Sequence, residues 1–336
     1  MKYKRILITR HGGSEVLHLS EEEIPEPQAG EVRIKVLATS VAFTDILIRE
    51  GLYPGLPKVP FSPGYEIIGI VDKLGLEVSH VHLGQRVVAL TITGGYSEFL
   101  CLPARELVPV PEPVESAEAV CLVLHYVTAY QLLHRIAIKP YERILIHGAA
   151  GGVGTALLEL GKLTNLEMYG TASQAKHEVV SRLGGVPIDY KHEDFRQRIR
   201  TLTGDGVDVV FDGIGGSHLL SSYQILSNKG RLISYGFSSA LAGKYRTLQL
   251  GFNFFLLNLL QLLPDGRQAT FYSIAKFKQQ YPKQFQEDLT KLLDLLAAKQ
   301  IQPMISDRLP LEKAADAHKL LESAAVSGQL VLMCSN

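Results

Sequence analysis

The residues with the clearest chemical potential form one run, "ILIHGAAGGVGTALLELGKL", from Ile144 to Leu163. Its leucine and β-branched start predicts a strand, Ala149, Ala150, Gly151, Gly152, Val153 and Gly154 predict a tight turn, and the remainder predicts a helix. Without side chains at Gly151 and Gly152, phosphate oxygens can approach free N–H groups at a helix start, where the dipole favours an anion; Gly154 lets helix and strand pack closely. The chemistry this predicts is capture of a dinucleotide's pyrophosphate. A lone glycine pattern is weak; its place between a strand and a helix, within a series of such units, gives it force. Ala149 stands where the commonest pattern has its first glycine, which is tolerable if the turn needs no positive φ there. A glycine turn of purely structural purpose is the competing reading.

The second chemical stretch is "MYGTASQAKHE", Met168 to Glu178. An NAD-binding protein usually shows an acidic residue about twenty positions past its glycine turn, where it accepts hydrogen bonds from the adenosine ribose. Here no acid precedes Glu178, and Ser173 and Lys176 occupy the place instead. Two unit charges about 4 Å apart interact by roughly 1 to 4 kcal/mol between water and a protein surface, and a 2'-phosphate carries nearly two charges. A neutral donor and a cation turn that repulsion into attraction, so NADPH is expected over NADH. The bland reading of Lys176 is a solvated helix residue. Gly213, Gly215 and Gly216 open a third turn, after "VVFD", where close approach of a cofactor is expected.

The elements that must position these residues fall into two textures. The first 120 or so residues read as short strands punctuated by Gly and Pro, such as "GEVRIKVLATSV", "EIIGIVDKLG" and "GQRVVAL". From about Ser116 onward, helices alternate with strands: a helix near Glu118 to His134, then "RILIHG", "LEMYGTA", "VPIDY", "VDVVFDGIG" and "RLISYGF". That alternation predicts βαβ units and a parallel sheet covered on both faces. After "ATFYSI", Ala269 to Ile274, an amphipathic helix, a strand, a helix near Leu311 and a final strand read as a return to the first texture.

Composition excludes several classes. With 34 basic and 34 acidic side chains among 336 residues, the chain offers no bulk electrostatic case for nucleic acid or an anionic membrane. Cys101, Cys121 and Cys334 are too sparse for a disulfide framework or paired metal ligands, and His80 and His82 lack a second ligand pair. The start lacks the apolar core of a secretory signal, so the cytosol is expected. The longest apolar run, Leu250 to Pro264, falls short of the ~20 residues a bilayer-crossing helix needs. No transmembrane segment is expected; a buried or interface helix is the bland reading, and a lid or monotopic contact the alternative.

The segments "GEVRIKVLATSVAFTDILIREGLYPGLPKVPFSPGYEIIGIV", "HYVTAYQLL", "ILIHGAAGGVG", "DVVFDGIGG" and "SYGFSS", in this order, resemble the medium-chain dehydrogenase/reductase superfamily. More narrowly, the chain resembles its zinc-independent quinone oxidoreductase branch, the zeta-crystallin-like and vesicle-amine-transport-like groups. The resemblance implies an α/β fold: a GroES-like β-barrel catalytic domain (1–122 and 276–336), a Rossmann doubly wound domain (123–275), and an active-site cleft between them. It implies a homodimer or homotetramer that pairs "ATFYSI" across a two-fold axis. It places the pyrophosphate over Ala149 to Gly154, the 2'-phosphate near Ser173, Lys176 and Tyr190, and the nicotinamide between Thr128 and the turn Tyr235, Gly236 and Phe237, with Gly213 nearby. Zinc-dependent relatives carry cysteine and "GHE" where this chain has Thr44 or Asp45 and "GYE" with Tyr65, so no metal is expected. The implied reaction is hydride transfer from NADPH to a small apolar electrophile, a quinone, enone or enal. Reduction of enoyl thioesters, and a nucleotide-binding interaction or membrane-associated protein with little turnover, are the alternatives. Many relatives carry asparagine and tyrosine where Ala42 and Leu47 stand, which leaves Asp45 and Tyr53 as catalytic candidates. Asp45 and Arg49, at i and i+4, read equally as a structural ion pair.

Overall fold

The structure is a computed structural model and describes residues 1–242 and 246–334. It divides into two units, Met1–Val127 with Ala275–Asn336, and Thr128–Ile274.

The second unit is built on a six-stranded sheet whose neighbouring strands all run parallel. In space the strands follow the order Val186–Asp189, Glu167–Ala172, Arg143–Ile146, Val207–Asp212, Leu226–Ser234, Gln268–Phe271. Chain order therefore reverses between Arg143–Ile146 and Val207–Asp212. In a doubly wound sheet a ligand binds outside the carboxyl ends of the strands at that reversal. Near-continuous apolar strands such as "RILI" and "VDVVFD" form here because parallel strands are buried on both faces. The core beneath includes Leu145, Val210, Leu219, Leu232 and Phe237.

The first unit is β-rich, as expected. Its main sheet runs Ile305–Pro310, Gln329–Met333, Glu31–Val41, Glu66–Leu74, Arg86–Leu90, Val108–Pro109, with Phe99–Pro103 also pairing Glu31–Val41. The last strand of the chain thus lies beside Glu31–Val41, antiparallel to it. The helix Phe43–Arg49 follows that strand directly.

Two elements differ from the sequence reading. The helix expected near Glu118 to His134 is three segments, Ser116–Cys121, a π-helical turn Leu122–Tyr126, and Val127–Arg135. Such turns are rare within helices. The apolar run lies in a helix that starts earlier, at Arg246, and ends at Gln261. One face of it is core, with Leu257 and Leu260 buried, yet Leu248, Phe252 and Phe255 are 72%, 55% and 62% exposed. It is an amphipathic surface helix, not a buried one. Among the described residues no helix is long and apolar enough to cross a membrane.

Candidate functional site

The glycine turn sits at the carboxyl end of Arg143–Ile146, at the reversal of chain order. Its one positive φ falls on Gly148 (+66°), one residue before Ala149, whose φ is ordinary. That is why alanine is accepted at 149. Ala149 and Ala150 are buried, and the Ala149 amide donates to the Thr171 carbonyl oxygen at 3.0 Å. They support the turn; Gly151, Gly152 and Val153 are its half-buried surface.

The helix Gly152–Leu163 starts there with no side-chain cap and no acid in its first turn. Its first N–H groups have no partner within the helix, so they and the dipole are available to an anion. Gly154 is required by packing: a Cβ would lie 2.4 Å from the Gly148 carbonyl oxygen and 2.6 Å from Ala149 Cα. Gly170 is required likewise, because a Cβ would meet that of Ala149 at 2.5 Å.

At the end of the neighbouring strand Glu167–Ala172, Ser173 leads into a short 3-10 turn, Gln174–Lys176, and the helix His177–Arg182. Ser173 and Lys176 are half-buried, and partial burial lowers the Lys176 ammonium from its ordinary value. Tyr190 follows the next strand, Val186–Asp189, and is 49% exposed. The nearby acid Asp189 is engaged by the Lys191 amide at 3.0 Å and by His192 Nδ1 at 2.7 Å.

On the other side of the reversal, Asp212 ends its strand fully buried, and one carboxylate oxygen accepts the amides of Ile214 (2.7 Å) and Gly215 (2.9 Å). Gly215 and Gly216 take positive φ, and Asn253 Oδ1 accepts the Gly216 amide at 2.8 Å. This turn is zipped to the next: Tyr235 donates its amide to the Asp212 carbonyl oxygen, and Ser238 its amide to that of Gly213. A Cβ on Gly213 would reach Tyr235 Cζ at 2.9 Å, and one on Gly236 would stand 3.2 Å from the Gly213 carbonyl oxygen. Phe237 faces inward, stacked on Phe271 at 5.0 Å, so only its backbone is offered to a ligand. Thr128 is a buried residue of the helix Val127–Arg135.

A dinucleotide fits these residues on two observations of the structure. Half-buried glycine backbone at Gly151 and Gly152 lies at the uncapped helix start, and Asn253 Nδ2 is a buried donor without a hydrogen-bond partner beside the second turn.

In the first unit, Asp45 and Arg49 do not pair with each other. Asp45 is fully buried and accepts the amides of Ala42 (2.9 Å) and Gly64 (3.1 Å); burial pushes its carboxyl up to about 7. The Arg49 guanidinium instead contacts Glu322 at 2.5 Å and Glu50 at 2.8 Å, and reaches His318 Nδ1 at 3.3 Å. Asp45 therefore braces backbone at the start of Phe43–Arg49. The Tyr53 hydroxyl shares a 2.6 Å hydrogen bond with that of Tyr65, a partner the sequence reading did not assign, and burial raises the Tyr53 phenol above its ordinary value.

Two family profiles match the chain: an alcohol dehydrogenase GroES-like domain over residues 28–112 and a zinc-binding dehydrogenase over residues 184–332. The synaptic vesicle membrane protein VAT-1 homolog of Rattus norvegicus is 33% identical over 337 residues, covering 98% of this chain and 83% of the relative. The crystal structure of Escherichia coli quinone oxidoreductase complexed with NADPH is 31% identical, with a TM-score of 0.88, covering 98% of this chain and 99% of that one. The chain belongs to the medium-chain dehydrogenase/reductase superfamily, in its zinc-independent quinone oxidoreductase branch. The crystal structure of human VAT-1 homolog-like protein is similar over the whole chain, at 28% identity and a TM-score of 0.86.

The zinc in the second profile's description does not fit this member of the superfamily. Tyr65 stands in the "GYE" motif and donates no metal ligand of the usual kind. The carboxylates of Asp45 and Glu66 are spent on neighbours, Glu66 on Ser40 and the Leu124 amide. Among the described residues no group of three or more His, Cys, Asp or Glu side chains comes together to hold an ion.

Proposed function

We propose that the chain is an NADPH-dependent, metal-free oxidoreductase that reduces small apolar electrophiles, quinones or the activated double bonds of enones and enals. The observation that carries this reading is the corner at Ser173 and Lys176, at the end of the strand beside the uncapped helix start, where the neighbouring acid Asp189 is taken up by the Lys191 amide and His192. Its resemblance to a quinone oxidoreductase crystallised with NADPH supports it.

The chain's own residues have distinct tasks in this proposal. Amides at Gly151 to Val153 bind the pyrophosphate, backed by Ala149, Ala150 and Gly154. Ser173, Lys176 and Tyr190 bind the 2'-phosphate, and Thr128, Gly213, Tyr235, Gly236 and the Phe237 backbone border the nicotinamide. NADPH, when bound, supplies the hydride. Tyr53 is the proposed proton donor, its hydroxyl held by Tyr65, and Asp45 is reassigned from acid to brace. Ala42, which is buried, and Leu47 add no polar group, which favours an apolar substrate. Alignment and exclusion of water do most of the work in such a reaction. We also propose 1–122 with 276–336 as the catalytic part and 123–275 as the nucleotide part, a homodimer or homotetramer through Ala269 to Ile274, and a cytosolic location.

Steady-state oxidation of NADPH with a panel of quinones, enals and enoyl thioesters, with and without a chelator, tests the reading. Turnover of quinones or enals that survives the chelator is expected. Turnover of thioesters alone moves the chain to the enoyl-reductase alternative. Tight NADPH binding with no turnover on any of them favours the interaction protein.

A further inference from the structure

A chain of buried hydrogen bonds runs under the sheet ends of the second unit, and elementary donor–acceptor chemistry sets the direction of every proton in it. Asp212 Oδ2 accepts the Ser222 hydroxyl proton at 3.0 Å. Having spent its only proton, Ser222 Oγ accepts from His147 Nε2, also at 3.0 Å. His147 is fully enclosed, and burial pushes its imidazole down to about 4, so the ring is neutral and Nδ1 is bare. Nδ1 then accepts the Thr171 hydroxyl proton at 3.2 Å, and the Thr171 oxygen accepts the Gly148 amide at 3.2 Å.

The two ends of this chain are the two turns of the candidate site. At one end is the amide of Gly148, the residue whose positive φ starts the turn before the helix Gly152–Leu163. At the other is the carboxylate that holds the amides of Ile214 and Gly215. His147, Thr171, Asp212 and Ser222 are all buried, and only the last bond, from the amide of the exposed Gly148, reaches the surface. A buried chain of this kind is worth more intact than the sum of its separate bonds, because losing one partner leaves the next without its own.

We propose that His147 is a positioning residue whose imidazole ties the turn under the pyrophosphate to the turn on the nicotinamide side, so that the two halves of the site are ordered together. This rests on the reading of the site as one for NADPH. The tie itself is a property of the protein without cofactor.

The test uses Thr171→Val and Ser222→Ala, which break the chain on either side of the ring, their double variant, and Thr171→Ser, which keeps the hydroxyl. In the cofactor-free protein, amide hydrogen exchange of Gly148 is followed by NMR. Ser222→Ala, on the far side of the ring, is expected to speed Gly148 exchange about tenfold or more beyond any change that its loss of global stability imposes on the slowest-exchanging core amides. NADPH dissociation constants are expected to rise about fivefold in each single variant and no further in the double, with Thr171→Ser within about twofold of the parent. Unchanged Gly148 exchange in Ser222→Ala, or additive losses in the double variant, overturns the proposal. If the parent binds no NADPH, the cofactor reading fails while the exchange result still decides the tie. Should Ser222→Ala not fold, Ser222→Cys keeps the volume and replaces the hydroxyl with a poor hydrogen-bonding partner.

Discussion

Single atoms decide whether the glycine turn can exist at all. Gly154→Ala drives a methyl group against the Gly148 carbonyl oxygen and Ala149 Cα, backbone atoms that yield only if the turn moves. The expected cost is about 1–3 kcal/mol in a urea melt, with NADPH affinity lost at the same time; a variant as stable and as tight-binding as the parent contradicts the assigned packing. Glu66 gives a second test at this scale. Burial pushes its carboxyl from the ordinary 4.5 up to about 8, against the help of Ser40 and the Leu124 amide. The folded protein therefore keeps this proton more tightly than the unfolded chain. As pH rises from about 4.5 the unfolded chain releases it first, so Glu66 costs stability progressively until about 8. Glu66→Gln has no such titration. The melting temperature of Glu66→Gln minus that of the parent should climb between pH 5 and pH 8; a flat difference contradicts a proton held by burial.

Among the elements, what was legible in the sequence was local. The strand, turn and helix around Ala149 to Gly154 announce themselves because a strand of a parallel sheet is apolar throughout and a phosphate-binding turn needs bare backbone. The features that escaped are those that depend on partners far along the chain. Arg49 pairs with Glu322, 273 positions away, and no spacing near Arg49 signals it. His147 and Asp212 meet through Ser222, 75 and 10 positions away, and that meeting exists only once the sheet is wound. Gly148, which carries the positive φ, lies one residue before the place where the usual glycine pattern starts, so the pattern does not point to it. The apolar run Leu250 to Pro264 marks most of the helix Arg246–Gln261, but run length says nothing about which face is covered. Its two faces should respond differently. Leu257→Ala or Leu260→Ala, on the buried face, should cost about 2–5 kcal/mol. Phe252→Ser or Phe255→Ser, on the exposed face, should stay within roughly 0.5 kcal/mol in the isolated chain. Equal losses on both faces in a denaturant melt contradict this assignment of sides.

For the whole molecule, fold and function stand on different footings. Two α/β and β-rich units and membership of the quinone oxidoreductase branch agree with the sequence over nearly the full chain. The catalytic groups stay a proposal, and of the two candidates Asp45 accepts the backbone amides of Ala42 and of Gly64, the latter a partner that lies outside any local spacing pattern. The coenzyme is the claim on which the proposed chemistry depends. Isothermal titration of the parent and of the Ser173→Ala/Lys176→Ala double variant with NADPH and NADH tests it most directly. NADPH should bind the parent at least about tenfold more tightly than NADH, a difference of ~1.4 kcal/mol or more, and the double variant should lose that margin while its NADH affinity stays within about threefold. Equal affinity of the parent for both coenzymes, or equal weakening of both in the variant, contradicts the account.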